Sequence, residues 1–278
     1  PHDLINGLIE NFEDYRGVFE NAAANGVGVP AASVQFRAPL PRPINIDCMA
    51  VNYMESGTKK EKSPINAFLK ASNSVIGPNE TMVCQDVPAT IYEGEAELGL
   101  VMGKRAYQVS EDDAMDHVFG YVNFIDGSAR GLPPAGNVFY QMKARETFSP
   151  LGPYIVTKDE IDDPQNLDVK LWVNGVLKQD FNTDDMAHSI KTCISWVSHV
   201  HTMEPGDVLA TGTNHRGLNP FHDGDIVELE IEGLGRLTIN VQDELKRTWE
   251  RIVRSDRTDK GLEPPHAPQL TGKYAPNI

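Results

Sequence analysis

Hydrophobic residues recur with two different periods along this chain, and the change of period divides it into segments. In residues 4–24 apolar side chains recur every three or four positions, which predicts one or two amphipathic helices ending near Asn25-Gly26. The following stretch, VGVPAASVQFRAPLPRP, contains four prolines and is typical of an extended connector. From Ile44 onward, short β-branched and apolar runs alternate with turn signals such as Asn174-Gly175, and this pattern predicts strands.

Two further helices are predicted between these strands. One lies in SEDDAMDHVFG, where Ser110 is a typical helix cap and Gly120 a stop. The other lies in DDMAHSIKTCISWVSHVHTM, whose apolar residues form one stripe: Met186, Ile190, Cys193, Ile194 and Val197. We expect its histidines at the surface or at a partner contact: His188, His199 and His201.

Many short strands with few helices indicate a β-rich α+β protein with a closed or sandwiched sheet architecture. We divide the chain into a small helical N-terminal segment with its connector (1–43), a β-rich domain (44–250) and an extended C-terminal tail (251–278). The tail is polar and proline-rich, which is typical of a segment that is disordered or draped over a partner subunit.

Composition excludes several classes of partner. The chain has 278 residues, is 40% hydrophobic and carries a formal charge of −15, so its surface repels nucleic-acid phosphates and anionic lipid. No apolar run approaches the ~20 residues that cross a bilayer. The cysteines, Cys48, Cys84 and Cys193, are odd in number and lack C-x-x-C spacing, which favours a reducing, cytoplasmic compartment. An anionic substrate would need a local cation or an Arg/Lys cluster.

The segment IYEGEAELGLVMG carries three glutamates at alternate positions: Glu93, Glu95 and Glu97. Alternate residues of a strand share one face and are ~6.6 Å apart, so two neighbours can converge on one cation. Glu97 leads into an apolar run, which favours Glu95 and Glu97 as that pair and leaves Glu93 in a supporting or an exposed position. A solvated acidic face is the alternative, and spacing alone favours it.

A divalent cation needs a third oxygen ligand, which Asp126 in GYVNFIDGSARG offers. This acid follows an apolar stretch and needs a partner there; a loop cap is the alternative. Three carboxylates around a 2+ ion leave room for Arg130 or Lys143 nearby. Such an oxygen shell accepts Mg²⁺, Mn²⁺ or Ca²⁺.

Six motifs in order, EAELGLVMGK, GYVNFIDGSAR, QMKARETFSPLGP, VNGVLKQDFNTDDM, PGDVLATGT and DGDIVELEIEGLGRL, resemble the fumarylacetoacetate hydrolase family over residues ~44–245. The resemblance implies a mixed β-sandwich roll as a catalytic domain, usually in a homodimer. It also implies that Mg²⁺ or a similar ion is held by an E-x-E pair and a downstream Asp, here Glu95, Glu97 and Asp126. Family substrates are small 2-oxo or β-diketo carboxylates that are cleaved at a C–C bond, decarboxylated, hydrated or isomerised.

The same resemblance suggests residues that contact the substrate. Lys143 would pair with a developing enolate or a carboxylate, and Lys70 would face the cleft. Arg130 would brace the Asp126 segment, and Gln141 or Asn137 would replace a family glutamine that is absent here. The expected substrate-binding residues are Tyr53, Lys70, Arg130, Gln141, Thr211, Gly212 and Thr213.

One motif departs from the family pattern. Family hydrolases carry N-Y-x-x-H-x-x-E on a mobile lid, where the His–Glu pair activates water, but Ser56 and Lys59 occupy those two positions here. Glu55 and Glu61 are candidate bases after a local shift, with solvated loop acids as the alternative. His215, beside the T-G-T turn, is a candidate proton carrier, with an exposed loop histidine as the alternative.

We therefore expect a divalent-metal-dependent hydrolase that cleaves a C–C bond in a small 2-oxo or β-diketo carboxylate. A lyase or isomerase (decarboxylase, dehydratase or tautomerase) is the alternative, because enolate chemistry needs no attacking water. An alternative of another class is a non-catalytic metal- or ligand-binding homologue. Four clustered charges argue against it, because a scaffold without function has no reason to keep them: Glu95, Glu97, Asp126 and Lys143.

Overall fold

The computed structural model describes residues 2–133, 139–262 and 266–276, so Asn137 lies outside the described residues. In chain order the strands are β1 (Ile46–Met49), β2 (Ala67–Lys70), β3 (Val75–Ile76), β4 (Thr81–Val83), β5 (Ile91–Met102), β6 (Val118–Arg130), β7 (Ser149–Thr157), β8 (Asp168–Val173), β9 (Val176–Asn182), β10 (Val208–Ala210), β11 (Ile226–Ile231), β12 (Arg236–Gln242), β13 (Thr248–Trp249) and β14 (Gln269–Thr271). The α-helices are α1 (His2–Glu10), α2 (Phe12–Asn25), α3 (Phe139–Lys143), α4 (Ile190–Val200) and α5 (Arg254–Asp259).

Two mixed sheets form the body of the described structure. One has the order β2-β1-β10-β5-β6-β7-β3, and the other has the order β4-β12-β11-β8-β9. The β1–β10, β3–β7 and β4–β12 pairs are parallel, and the remaining pairs of these two sheets are antiparallel. Alternate residues of β11 and β12 point inward and share one core with β5 and β8. The predicted β-rich mixed sandwich roll is confirmed.

The strands β5 and β6 form the centre of the larger sheet. Every residue of β5 is buried, as are all but the second and last residues of β6. Their antiparallel register places Glu95 directly opposite Asp126 and Gly94 opposite Gly127. The alternative of a loop cap for Asp126 is wrong, because this residue lies inside β6, whose pairing with β5 continues to Arg130.

Two of the three regions predicted to be helical form α-helices. The N-terminal pattern forms α1 and α2, and the Phe12 ring packs edge-on against Phe119 with centroids 5.0 Å apart. The apolar stripe of α4 is buried, and Ser189 caps this helix by accepting a hydrogen bond from the Thr192 N–H. None of the described helices has both the length and the apolar surface that a bilayer-spanning helix requires.

The helix predicted over 110–120 is wrong. Ser110 closes a turn on Asp113, a short 3-10 helix follows at Ala114–His117, and β6 already begins at Val118. Ser110 does accept a cap-like hydrogen bond from the Asp113 N–H. The residues from Val118 onward pair with β5, however, and cannot extend a helix. The segment 251–278 also contains more structure than an extended tail, namely α5 and β14, which pairs with β13.

The packing beneath the row of glutamates predicts a sensitive glycine. A Cβ atom at Gly94 would lie 2.6 Å from Cε2 of Phe221 and 2.8 Å from Cγ2 of Ile125. We expect Gly94→Ala to lower the free energy of unfolding by about 1–3 kcal/mol in urea titrations, because the core must shift to admit the methyl group. Gly28→Ala is the matched control, since no atom lies within 4 Å of its added Cβ. Equal stability of the two variants would contradict this packing.

Candidate active site

Three carboxylates converge on the central strand pair. Glu95 and Glu97 share one face of β5, and Asp126 projects from β6 directly opposite Glu95, where paired side chains start only about 5 Å apart. One oxygen from each of the three lies within 4.8 Å of the others. Their residues are only 5%, 1% and 0% exposed, so the alternative of a solvated acidic face is wrong.

Two buried lysines supply positive charge to this cluster. Lys70 donates from Nζ to Oδ1 of Asp126 and to the carbonyl of Gly127 (3.2 Å). Lys143, at the end of α3, donates to Oδ2 of Asp126 and to Oε1 of Glu95 (2.8 Å). Lys143 therefore lies beside the carboxylates as expected, whereas Lys70, which was expected to face the cleft, is buried against Asp126. Lys143 also lies over the ring of Phe68, 5.4 Å from its centroid.

Glu97 is the least compensated member of the cluster. Its Oε2 accepts a hydrogen bond from the Gly212 N–H (2.8 Å), while Oε1 is buried without a hydrogen-bond partner among the described residues. Burial, together with the charges of Asp126 and Glu95, raises the pKa of Glu97 well above its usual value. A divalent cation would satisfy that oxygen and offset the crowding of negative charge. The all-oxygen donor set fits Mg²⁺, Mn²⁺ or Ca²⁺.

The pKa of Glu95 is shifted in the opposite direction from that of Glu97. Burial opposes its ionisation, but the charges of Lys143 and Arg130 outweigh that effect and lower the pKa of Glu95 well below its usual value. Arg130 reaches Oε1 of Glu95 from the last position of β6. Glu95 is therefore an ionised candidate metal ligand. Two cationic donors, Arg130 and Lys143, fix the orientation of its carboxylate.

Glu93, the third glutamate of the row, is buried outside the cluster. Nε of Arg130 donates to its Oε2 (3.1 Å), and Arg254 of α5 donates to both of its oxygens. Burial opposes ionisation, but these two guanidinium charges lower the pKa of Glu93 to about 2. The expectation of an exposed Glu93 is wrong, and the alternative of a supporting position fits, because Arg130 links Glu93 to Glu95.

The T-G-T turn lies against the same strand. The hydroxyl of Thr211 donates to the carbonyl of Leu98 (3.0 Å), and the hydroxyl of Thr213 accepts from Nε2 of Gln179 (2.9 Å). Gly212 has φ +90°, a backbone conformation that a residue with a Cβ rarely adopts, and this conformation directs its N–H at Glu97. The turn thus positions a metal-ligand candidate; contact of its residues with substrate stays a prediction.

The candidate base and the candidate proton carrier meet in space. Nδ1 of His215 lies 2.7 Å from Oε1 of Glu55, and the His215 N–H donates to Oε2 (2.8 Å). Burial opposes ionisation of Glu55, but the hydrogen bond and charge of His215 lower the pKa of that carboxyl. Asp185 fixes both segments, since its Oδ2 accepts from the Ser56 N–H (2.9 Å) and from Nδ2 of Asn214 (3.0 Å).

His215 and part of the carboxylate cluster line one small cavity of about 80 Å³. Glu95, Arg130, Lys143, Thr213 and His215 are among the residues that line it. A larger cavity of about 380 Å³ lies beside α1 and α2, away from the candidate site residues. We assign function to the smaller cavity, because it alone of these two contacts the carboxylate cluster and the histidine.

Three other sequence-predicted candidates are not among the residues that line this cavity. Tyr53 is fully buried with its ring packed edge-on against Phe181 (5.1 Å between centroids), and burial raises the pKa of its hydroxyl. Gln141 and Glu61 are exposed. Substrate contact by Tyr53 or Gln141 therefore needs a rearrangement that the described structure does not contain.

Gln179 is a site residue that was not predicted from the sequence. Its Oε1 accepts the Ala96 N–H (3.1 Å), and its Nε2 donates to Thr213 and to the carbonyl of Asn214 (both 2.9 Å). This amide, 1% exposed, ties the metal-ligand strand to the turn that carries His215. A polar residue at an inward position of β9 was the signal that could have identified it.

The cluster predicts a measurable metal affinity. We expect the chain to bind one Mn²⁺ in isothermal titration calorimetry, and Glu97→Gln to raise the Kd at least about tenfold, because a ligand charge is lost. Saturating Mn²⁺ should raise the melting temperature of the unmodified chain but much less that of the variant. Glu244→Gln, an exposed acid on the same protein, should bind as the unmodified chain does. Unchanged affinity in Glu97→Gln would exclude this cluster as the site.

Comparison with known proteins places this geometry in a family. Residues 45–242 match the family model described as fumarylacetoacetate (FAA) hydrolase, C-terminal. The chain is 37% identical over 220 residues to the mitochondrial oxaloacetate tautomerase fahd2 of Xenopus laevis, covering 74% of this chain and 68% of the relative.

Solved structures agree. Maleylpyruvate hydrolase from Sphingobium sp. SYK-6 superposes with a TM-score of 0.78 at 37% identity, covering 86% of each chain. A second structure of that hydrolase, in complex with manganese(II) ion and pyruvate, gives a TM-score of 0.77 at 36% identity, covering 86% of this chain and 85% of that one. With its buried E-x-E pair, opposed aspartate and matching fold, this chain belongs to the fumarylacetoacetate hydrolase family.

Proposed function

We propose that this chain is a divalent-metal-dependent hydrolase that cleaves the C–C bond of a small acylpyruvate. The observation that carries the proposal is the contact of Glu55 with His215, which itself lines the same cavity as Glu95. The pair restores, from two other positions, the His–Glu arrangement that the lid motif lacks. The related hydrolase whose structure holds manganese(II) and pyruvate supports the same substrate class.

The cation site supplies one part of the chemistry. Glu95, Glu97 and Asp126 would hold Mg²⁺ or Mn²⁺, with Ca²⁺ as a further possibility for such a ligand set. A bound divalent cation acts as a Lewis acid, which polarises a 2-oxo group and offsets negative charge on its oxygen.

His215 supplies the proton transfer. Because Glu55 accepts at Nδ1, the neutral imidazole carries its proton there, and Nε2 keeps a lone pair that can accept a proton from water. The hydroxide so formed attacks the acyl carbon, and the bond from that carbon to C3 of the pyruvate unit breaks. The imidazolium then returns the proton to C3, so one water is consumed and a carboxylic acid and pyruvate are released.

The buried cations hold the reacting groups in place. Lys143 is fixed between Glu95 and Asp126 and lines the cavity, so its ammonium can face the carboxylate or the developing enolate of a substrate. Arg130 lines the same cavity while bound to Glu93 and Glu95. These charges provide the local positive potential that an anionic substrate needs on a protein of formal charge −15.

Tautomerisation of a 2-oxo acid such as oxaloacetate is the second candidate. It is supported by the relative named for that activity, and by Ser56 and Lys59, which replace the lid residues that activate water in the family hydrolases. In this reaction His215 would move a proton between C3 and the oxygen of the 2-oxo group without an attacking water. The same residues serve both reactions, so product analysis has to separate them.

We also propose that the chain acts as a homodimer in a reducing compartment such as the cytoplasm. Family membership supports the homodimer, and the buried free thiols of Cys48, Cys84 and Cys193 support the compartment.

Product analysis tests the reaction type. The chain with Mn²⁺ is incubated separately with acetylpyruvate, maleylpyruvate and oxaloacetate in ¹⁸O-labelled water, and products are followed by NMR and mass spectrometry. We expect pyruvate together with a carboxylic acid that contains one ¹⁸O atom. Enol–keto conversion of oxaloacetate without cleavage of either acylpyruvate would favour the tautomerase instead. Absence of both reactions would contradict the proposal.

The proton carrier has its own test. We expect His215→Ala to lower kcat by about 10²–10⁴-fold, and Glu55→Gln by at least about tenfold, because proton transfer and imidazole orientation are lost. Mn²⁺ affinity should remain within about threefold, since neither side chain belongs to the carboxylate cluster. His199→Ala, on the exposed face of α4, is the control and should leave kcat unchanged. Full activity of His215→Ala would remove this residue from the mechanism.

A further inference from the structure

The C-terminal segment reaches the row of glutamates from outside the region that the family model matches, which ends at residue 242. After β13 the chain forms α5, and β14 then returns to pair with β13. The helix α5 packs against the 3-10 turn His215–Gly217, and the Arg254 N–H donates to the carbonyl of Leu218 (3.0 Å). The segment is thereby anchored beside the carboxylate cluster.

Arg254 connects this segment to Glu93. Its NH2 group donates to Oε2 (2.5 Å) and its Nε to Oε1 (3.3 Å), so the guanidinium grips both oxygens of a carboxylate whose side chain is 1% exposed. His266, further along the segment, places Nδ1 3.9 Å from Oε1 of the same glutamate. Two groups from the C-terminal segment thus lie next to a buried acid near the start of β5.

The contacts continue to a metal-ligand candidate. Arg130 donates from Nε to Glu93 and from NH2 to Glu95, so positive and negative groups alternate in the order Arg254, Glu93, Arg130, Glu95. With Arg254 in place, Glu93 has two guanidinium partners. If Arg254 lost its charge, the buried Glu93 carboxylate would keep Arg130 and the more distant His266, and would draw Arg130 away from Glu95.

We propose that Arg254 is a positioning residue for the metal site, acting through Glu93 and Arg130 on the orientation of Glu95. Arg130 and Lys143 both bond Oε1 of Glu95, so together they set the rotation of that carboxyl. The inference rests on the proposed metal-dependent function. It gives the C-terminal segment a role in the site, although the segment contributes no ligand to the cluster.

Metal affinity measures this role without catalysis. We expect Arg254→Met, which keeps an unbranched apolar side chain but loses the charge and both bonds, to raise the Kd for Mn²⁺ about 10–100-fold in calorimetry. Arg254→Lys keeps the charge but loses the bidentate contact, so its Kd for Mn²⁺ should lie between those of the unmodified chain and Arg254→Met. In the background of Glu93→Gln, adding Arg254→Met should change the Kd by less than about twofold, because the two act in series.

A control in the same segment separates positioning from folding. Arg251 forms a similar two-bond ion pair with Asp225 (2.5 and 2.8 Å), so Arg251→Met removes an equivalent interaction away from Glu93. It should leave Mn²⁺ affinity unchanged even if it lowers the melting temperature. If Arg254→Met does not fold, the Arg254→Lys variant decides by the same measurement.

The outcomes distinguish this inference from the proposed function. Tight Mn²⁺ binding by the unmodified chain, with Arg254→Met and Arg254→Lys equally tight, would overturn the positioning role and leave the metal-dependent function standing. Absence of Mn²⁺ binding by the unmodified chain would overturn both. Equal losses of affinity in Arg254→Met and Arg251→Met would assign the effect to general destabilisation and overturn the positioning role.

Discussion

The burial of four carboxylates on two paired strands is the constraint on which the rest of this structure depends. Transfer of an ionised carboxylate into the protein interior costs several kcal/mol unless charges and hydrogen bonds compensate it. Glu93, Glu95 and Asp126 meet that requirement with guanidinium and ammonium partners drawn from β2, β6, α3 and α5. Glu97 is left with one backbone donor and one unsatisfied oxygen, which is where a cation fits.

The sandwich makes this concentration of charge possible. Antiparallel pairing of two long strands holds the Cβ atoms of facing residues about 4.5–5.5 Å apart, so that carboxylates on opposed positions converge. Gly94 and Gly127, opposite each other beside the cluster, admit the rings of Phe221 and Phe148 against the same strands. The apolar packing around the acids excludes water, which strengthens every ionic contact among them. Because of the same packing, a buried carboxylate that loses its ionic partner destabilises the fold.

Local pattern predicted the parts of the site that depend on local geometry. Alternation of the three glutamates indicated a strand, and the order of motifs indicated the family and its sandwich fold. A loop cap stayed open as an alternative for Asp126, because local sequence does not reveal the register between β5 and β6. The helix predicted near Ser110 failed for a related reason, since long-range strand pairing overrode a genuine cap. Arg254 was assigned to a tail, because its partner Glu93 is 161 positions away.

The pair of His215 and Glu55 also depends on long-range contacts that the local sequence does not reveal. Sequence comparison with the family lid identified Ser56 and Lys59 as a loss, and Glu55 and His215 as separate replacements. Their meeting depends on two turns that Asp185 holds together, which no spacing along the chain indicates. The proposed chemistry therefore uses a proton carrier attached to the T-G-T turn instead of the lid. Gln179 and α5 then keep that turn beside the metal-ligand strand.

The central proposal is that the carboxylates of Glu95, Glu97 and Asp126 are arranged around one divalent cation. The most direct measurement is a crystal structure of the full chain grown with Mn²⁺, with anomalous diffraction collected at the manganese edge. The account predicts one strong anomalous peak bounded by Glu95, Glu97 and Asp126, with Glu93 remaining bound to Arg130 and Arg254. A peak at another place, or a cluster still closed by Lys70 and Lys143 at saturating Mn²⁺, would contradict it.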